Sequence, residues 1–260
     1  VIRAAGRWRR LASAIAVWAS RYVSGTLSRA FILGVIGPLT NGSFAVGAAL
    51  AVAHLPTLYD VRYTWVSSLA SARSNPAGYA YLGTVFLAVP LMLVPIPGYL
   101  AARFGTHDRV TRAGVLLLWI GIAGLFLLGV ETTVFPNPGR TRSAHRLFTT
   151  IAFVGLTPGF LVFSVRALHR AWTARASVVP ASLACAVLAI PGIGAGLTDL
   201  ARILGELGWT ALRTSRHEGA FFRTFVFWEW VAVIGLFVGG WLTAWAASRV
   251  QREPSPTRSS

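Results

Sequence analysis

The sequence predicts an all-α, polytopic membrane protein: a six-transmembrane-helix bundle with an N-terminal amphipathic segment. Three observations carry that expectation. Only 12% of the 260 residues are charged and 55% are hydrophobic, whereas a soluble domain carries about 25% charged residues. Six apolar runs approach the roughly 20 residues that cross a bilayer core. No alternating pattern of ~10 residues repeats, which argues against the strands of a membrane barrel.

Residues 1–30 form a basic amphipathic segment. Within it Leu11, Ile15, Trp18 and Tyr22 fall at helical spacing between flanking arginines. Such a stripe suits a helix lying in the membrane interface, or a basic tail that only fixes topology. Its apolar piece is short and closes on Arg21, so it does not read as a cleavable signal peptide. Residues 31–247 form the membrane domain, with spans expected at 31–53, 79–101, 113–131, 147–166, 177–198 and 224–246. Pro90, Pro95 and Pro97 in the second span, and Pro180 and Pro191 in the fifth, predict kinks. Residues 248–260 read as a disordered tail.

All 24 basic residues are arginine. Without lysine there is no Schiff-base residue and no P-loop lysine. With both termini on one side, fifteen of the 24 arginines fall on that side and most acids on the other. That bias predicts cytoplasmic termini in a plasma membrane. The net charge of +16 is spread over many short segments, so contact with anionic lipid fits it better than nucleic acid. Cys185 stands alone, which excludes an intrachain disulfide and a cysteine-rich metal site.

Asn41 and Ser43 fall near the centre of the first span, within "GVIGPLTNGSF". A polar side chain there seeks an interhelical hydrogen bond, worth about 1 kcal/mol. It could equally mark a ligand or ion path. Glu229 lies inside the last span among aromatics, "FVFWEWVAVIG". A carboxylate is costly there, so it is expected to face the interior, with Asn41, His54 or an arginine as partner. Asn41, Ser43, His54 and Glu229 are the candidate lipid- or ligand-binding residues.

Catalysis has weaker candidates: Ser67, Ser68, His145 and His217, all on the outer side in this topology. A serine nucleophile needs a base and an oxyanion hole. Outer histidines and carboxylates could in principle hold a metal and activate water. They come from separate segments without H-x-x-x-H or H-E-x-x-H spacing, so neither metal nor cofactor is expected. Haem needs histidines facing each other at matching depth, whereas His54 and His145 sit at helix ends. On the inner side, "GTHDR" reads as a solvated turn containing His107 and Asp108.

The first outer loop carries "YDVRYTWVSSLASARSNPAGYAYLG", Tyr59 to Gly83. Tyr59-Asp60, "VSSLAS", Asn75-Pro76 and "GYAYLG" in that order resemble the loop of a bacterial and archaeal six-helix membrane family related to the eukaryotic Frag/DRAM/Sfk proteins. Ser68 stands where that family has Asp. "VFPNPGRTRSAHRLFTTIAFVG", with His145 opening the fourth span, and "HEGAFFRTFVFWEW", before and into the last span, resemble two further elements of the same family. The resemblance implies a six-span layout and a role connected with membrane lipids.

The leading expectation is therefore a protein that binds lipid within the bundle or assists a membrane protein partner, with membrane lipids as its contacts. A membrane-embedded hydrolase or acyltransferase using an outer His/Ser/acid cluster is an alternative, and a small transporter using Asn41 and Glu229 is another. The loop itself is expected to be structured, its Asn-Pro pair fixing the start of the second span.

Overall fold

The computed structural model describes residues 2–60, 64–106, 108–135, 142–206 and 225–249, and among these every regular element is helical. Helix α1 (Ile2–Ser24) is followed by α2 (Arg29–Ala53), a single turn α3 (Val66–Leu69), and α4 (Tyr79–Phe104). Then come α5 (Arg109–Thr133), α6 (Arg142–Thr173), α7 (Val179–Glu206) and α8 (Phe225–Arg249). Among the described residues, five helices are long and apolar enough to cross a membrane: α2, α4, α5, α6 and α8. Against the six runs read from the sequence, the described apolar part of α7, Val179–Gly194, is shorter.

The long helices alternate in direction. Arg29, Phe104, Arg109, Thr173, Val179 and Arg249 therefore gather at one end, the arginine-rich end. The opposite end carries α3 and is here termed the loop end. Helices α5 and α6 pack most closely, because glycines let their backbones meet. A Cβ on Gly121 would run into the Leu156 amide, and one on Gly155 into the Gly121 backbone. Small residues at such contacts replace the hydrophobic drive that lipid removes. Ser164 of α6 and Thr243 of α8 add a buried hydroxyl pair at 2.7 Å, each also bonded to its own helix.

Proline interrupts α4 at Val94, between Leu93 and Pro95, as its cluster of prolines predicts. Pro95 has no N–H for the Leu91 carbonyl four residues earlier. The Tyr22 hydroxyl donates to that carbonyl instead, at 2.9 Å, and lies 3.3 Å from the Met92 carbonyl. The end of α1 thus supplies the bond that the break in α4 removes. Helix α7 runs on as one helix through Pro191.

The turn between α4 and α5 is more than a solvated connector. Gly105 takes a φ of 89°, and Asp108 caps α5 by accepting from the Thr111 amide and hydroxyl, both at 3.0 Å. Arg166 of α6 pairs with the same Asp108 carboxylate. Arg170, one turn further on, donates to the Arg103 and Phe104 carbonyls at 3.2 and 3.4 Å. Two arginines of α6 thereby fasten both sides of the turn. His107 lies outside the described residues.

Candidate functional site

At the loop end, described residues between Tyr59 and Gly78 pack against α2, α4 and the start of α8. Glu229 is the centre of that contact. Its Oε2 accepts from the Val66 amide at 3.1 Å and its Oε1 from the Ser67 amide at 3.2 Å. These are the first two amides of α3, which lack partners within any helix. The Ser67 side chain hydrogen-bonds the same carboxylate. Glu229 therefore faces the interior, as its cost in lipid requires, but its partners are backbone amides rather than Asn41, His54 or an arginine.

The neighbouring Trp230 donates from Nε1 to the Thr64 carbonyl at 2.9 Å, and Tyr59 meets its ring edge-on at 6.4 Å. Burial, with the Asp60 charge beside it, holds the Tyr59 phenol above its ordinary pKa. From the other side Asn75 anchors the loop. It is fully buried; its Nδ2 donates to the Ala51 carbonyl at 2.8 Å and to the Leu69 carbonyl at 3.2 Å. Its Oδ1 accepts from the Gly78 amide at 3.1 Å, just before α4 begins. Asn75 thus ties the end of α2, the end of α3 and the start of α4 to one side chain.

The remaining candidates are dispersed. Asn41 is half-buried and donates from Nδ2 to Gly37 of its own helix at 2.9 Å, not across helices. Ser43 is half-buried beside it. The His54 ring bonds the Leu50 carbonyl at 2.8 Å and lies 4.8 Å from the Tyr81 ring, closing the end of α2. His145 pairs through Nδ1 with Glu131 at 3.3 Å, joining α6 to α5. Ser67 and Ser68 are half-buried on α3, and among the described residues neither is hydrogen-bonded to a histidine. No group of three His, Cys, Asp or Glu side chains converges among the described residues. His217 lies outside them.

About 10 Å along α8 from Glu229, by the 1.5 Å rise of a helix, the bundle opens into an apolar cavity. Its enclosed space is small, about 30 Å³, and the rest is open to the outside. Ile36 of α2, Leu93 and Ile96 at the break in α4, Leu125 of α5, Phe160 of α6 and Trp241 of α8 are among its walls. Two local irregularities shape it. The proline break in α4 displaces one wall. In α2, residues Ile32–Ile36 form a wide π-helical turn, a form frequent at functional sites. The Trp241 indole donates to the Leu33 carbonyl of that turn at 3.2 Å, and a side chain at Gly37 would occupy the space of its ring.

The polar groups lining the cavity are already committed. The Thr40 hydroxyl lies 2.9 Å from both the Ile36 and Gly37 carbonyls of its own helix, and the indole N–H bonds Leu33. An occupant gains apolar contact there and no hydrogen bond from these side chains. The lining, not the enclosed volume, favours an apolar occupant over water. Sequence reading missed Trp241 and Gly37; the one visible signal was a tryptophan well inside a span, in "GGWLTAW", rather than at its edge.

Comparison of the chain with family models, with curated proteins and with solved structures finds no match.

Proposed function

We propose that this chain is a six-span membrane protein that holds an acyl chain of a membrane lipid in the cavity between α2, α4, α5, α6 and α8. In this reading α7 is the sixth span, and α1 lies in the interface with its end wedged against α4. The layout agrees with the Frag/DRAM/Sfk-like resemblance of its loops. One observation carries the binding role: an open cavity inside the bundle whose lining Thr40 and Trp241 donors are already bonded to protein. The test is photolabelling in phosphatidylcholine vesicles with a lipid bearing a diazirine on its acyl chain. Label is expected on peptides containing Leu93–Ile96 and Leu236–Ala244. Leu93→Trp, which fills the cavity, should reduce that label several-fold. Label confined to outward residues such as Leu116 and Val154, unchanged by Leu93→Trp, would sink the proposal.

The membrane is the plasma membrane in this proposal, with the arginine-rich end in the cytoplasm. In a Cys185→Ser background, Leu58→Cys should react with an impermeant maleimide added to intact cells. Arg175→Cys should react only after the cells are opened. The reverse pattern refutes the orientation.

A further inference from the structure

From the cavity toward the arginine-rich end, α8 carries Trp241, Trp245 and Arg249 at one-turn intervals and α2 carries Arg29. Trp241 lines the cavity, and its ring stacks on Trp245 with centroids 6.4 Å apart and planes 19° from parallel. The guanidinium of Arg249 lies over the Trp245 ring at 5.1 Å, an aromatic–cation contact that holds it at the last turn of α8. Helix α2 runs antiparallel beside α8, joined by the Trp241–Leu33 bond. Cavity-lining Ile32 is one turn from Arg29, which is exposed at the first turn of α2. By helix rise, Arg29 stands about 6 Å and Arg249 about 12 Å beyond the Leu33–Trp241 link, both toward the same end. The one described acid at that end, Asp108, is paired with Arg166 on the α5–α6 side.

We infer that the occupant is a lipid with an anionic phosphate headgroup, its chain in the cavity and its phosphate held between Arg29 and Arg249. This rests on the chain-binding reading and adds the headgroup class. Arginine suits the task because its planar donor fork matches phosphate oxygens. Trp245 holds the Arg249 guanidinium against its ring. A free phosphate compound shares the headgroup chemistry but gains nothing from the apolar cavity.

The test compares two photoactivatable lipids of identical chains, phosphatidylglycerol and phosphatidylcholine, at low mole fraction in neutral vesicles carrying the full chain. Two interfacial arginines predict about tenfold stronger cavity labelling by phosphatidylglycerol. Arg29→Gln with Arg249→Gln should abolish the preference, bringing phosphatidylglycerol labelling down to the phosphatidylcholine level of the same variant. Arg109→Gln with Arg112→Gln, which removes the same charge elsewhere at that end, should preserve the preference. Equal labelling of the parent by both lipids overturns the headgroup inference while leaving chain binding intact. Absence of cavity label from both overturns chain binding itself. Loss of preference in both double variants shows general attraction to a basic surface and overturns the Arg29–Arg249 assignment. Millimolar glycerol phosphate should not compete; full competition would show a soluble-anion site and overturn the lipid assignment.

Discussion

Glu229→Ala should destabilise the protein by about 3 kcal/mol, because the hydrogen bonds from the Val66 amide and from the Ser67 amide and side chain disappear at once and each contributes roughly 1 kcal/mol. The lost acceptor leaves the Val66 and Ser67 amides at the start of α3 without a partner. Truncation also frees the loop from α8, since the adjacent Trp230–Thr64 bond depends on the same register. Glu229→Gln keeps one acceptor oxygen and turns an NH₂ toward the other amide. It should lose about half as much, so the order of stability is parent, Gln, Ala. Chemical unfolding in detergent, followed by tryptophan fluorescence, reads that order. An alanine variant that unfolds with the parent would show that the carboxylate does not hold the loop.

The same site shows what the residues disclosed and what they withheld. The cost of a carboxylate in lipid was legible in "FVFWEWVAVIG", and it demanded an inward direction. The partners were not legible, because two of the three are main-chain amides and all lie more than 160 residues away. Every non-proline residue carries such a group, so side-chain chemistry offers no signal. Asn41 misled for the related reason that a helix always supplies a nearby carbonyl, here Gly37, to a short amide. Helix positions and the break in α4 were readable because apolar length and proline act locally. The cavity was hidden because Ile, Leu and Phe line it, and those residues fill every other part of the bundle as well. Only its effects on backbone regularity, the π turn and the break at Val94, set it apart.

Clamp and cavity share α8. The loop fixes the first turn of that helix through Glu229 and Trp230, while Trp241 further along forms a cavity wall. Tightening or loosening the loop therefore acts on the helix that carries the Trp241–Leu33 bond. That connection makes the loop's other anchor, Asn75, the second site of large expected effect.

Asn75→Ala should cost about 4 kcal/mol, and Asn75→Asp should cost more than alanine at neutral pH. Asparagine is both donor and acceptor there: it donates to Ala51 and Leu69 and accepts from Gly78, in full burial. Alanine leaves the Ala51 and Leu69 carbonyls without this donor, each costing roughly 1–3 kcal/mol when buried, while the Gly78 amide keeps only the residue-75 main-chain carbonyl at 3.2 Å. Aspartate can still accept from Gly78, but its second oxygen faces two carbonyls with no proton to offer. An ionised carboxyl is repelled there and desolvated, so folding raises its pKa above the ordinary value of about 3.9. The unfolded state then gives up its proton first as pH rises. Stability of Asn75→Asp relative to the parent is accordingly greatest below pH ~4 and falls as pH increases, until the native carboxyl also ionises. Alanine carries no proton, so its deficit should stay flat over the same range. Unfolding midpoints of the parent and both variants in detergent, measured from pH 4 to pH 8, separate these cases. An aspartate variant that is as stable as the parent at pH 8, or that gains on it as pH rises, would show that the two carbonyl contacts of Asn75 do not hold the loop.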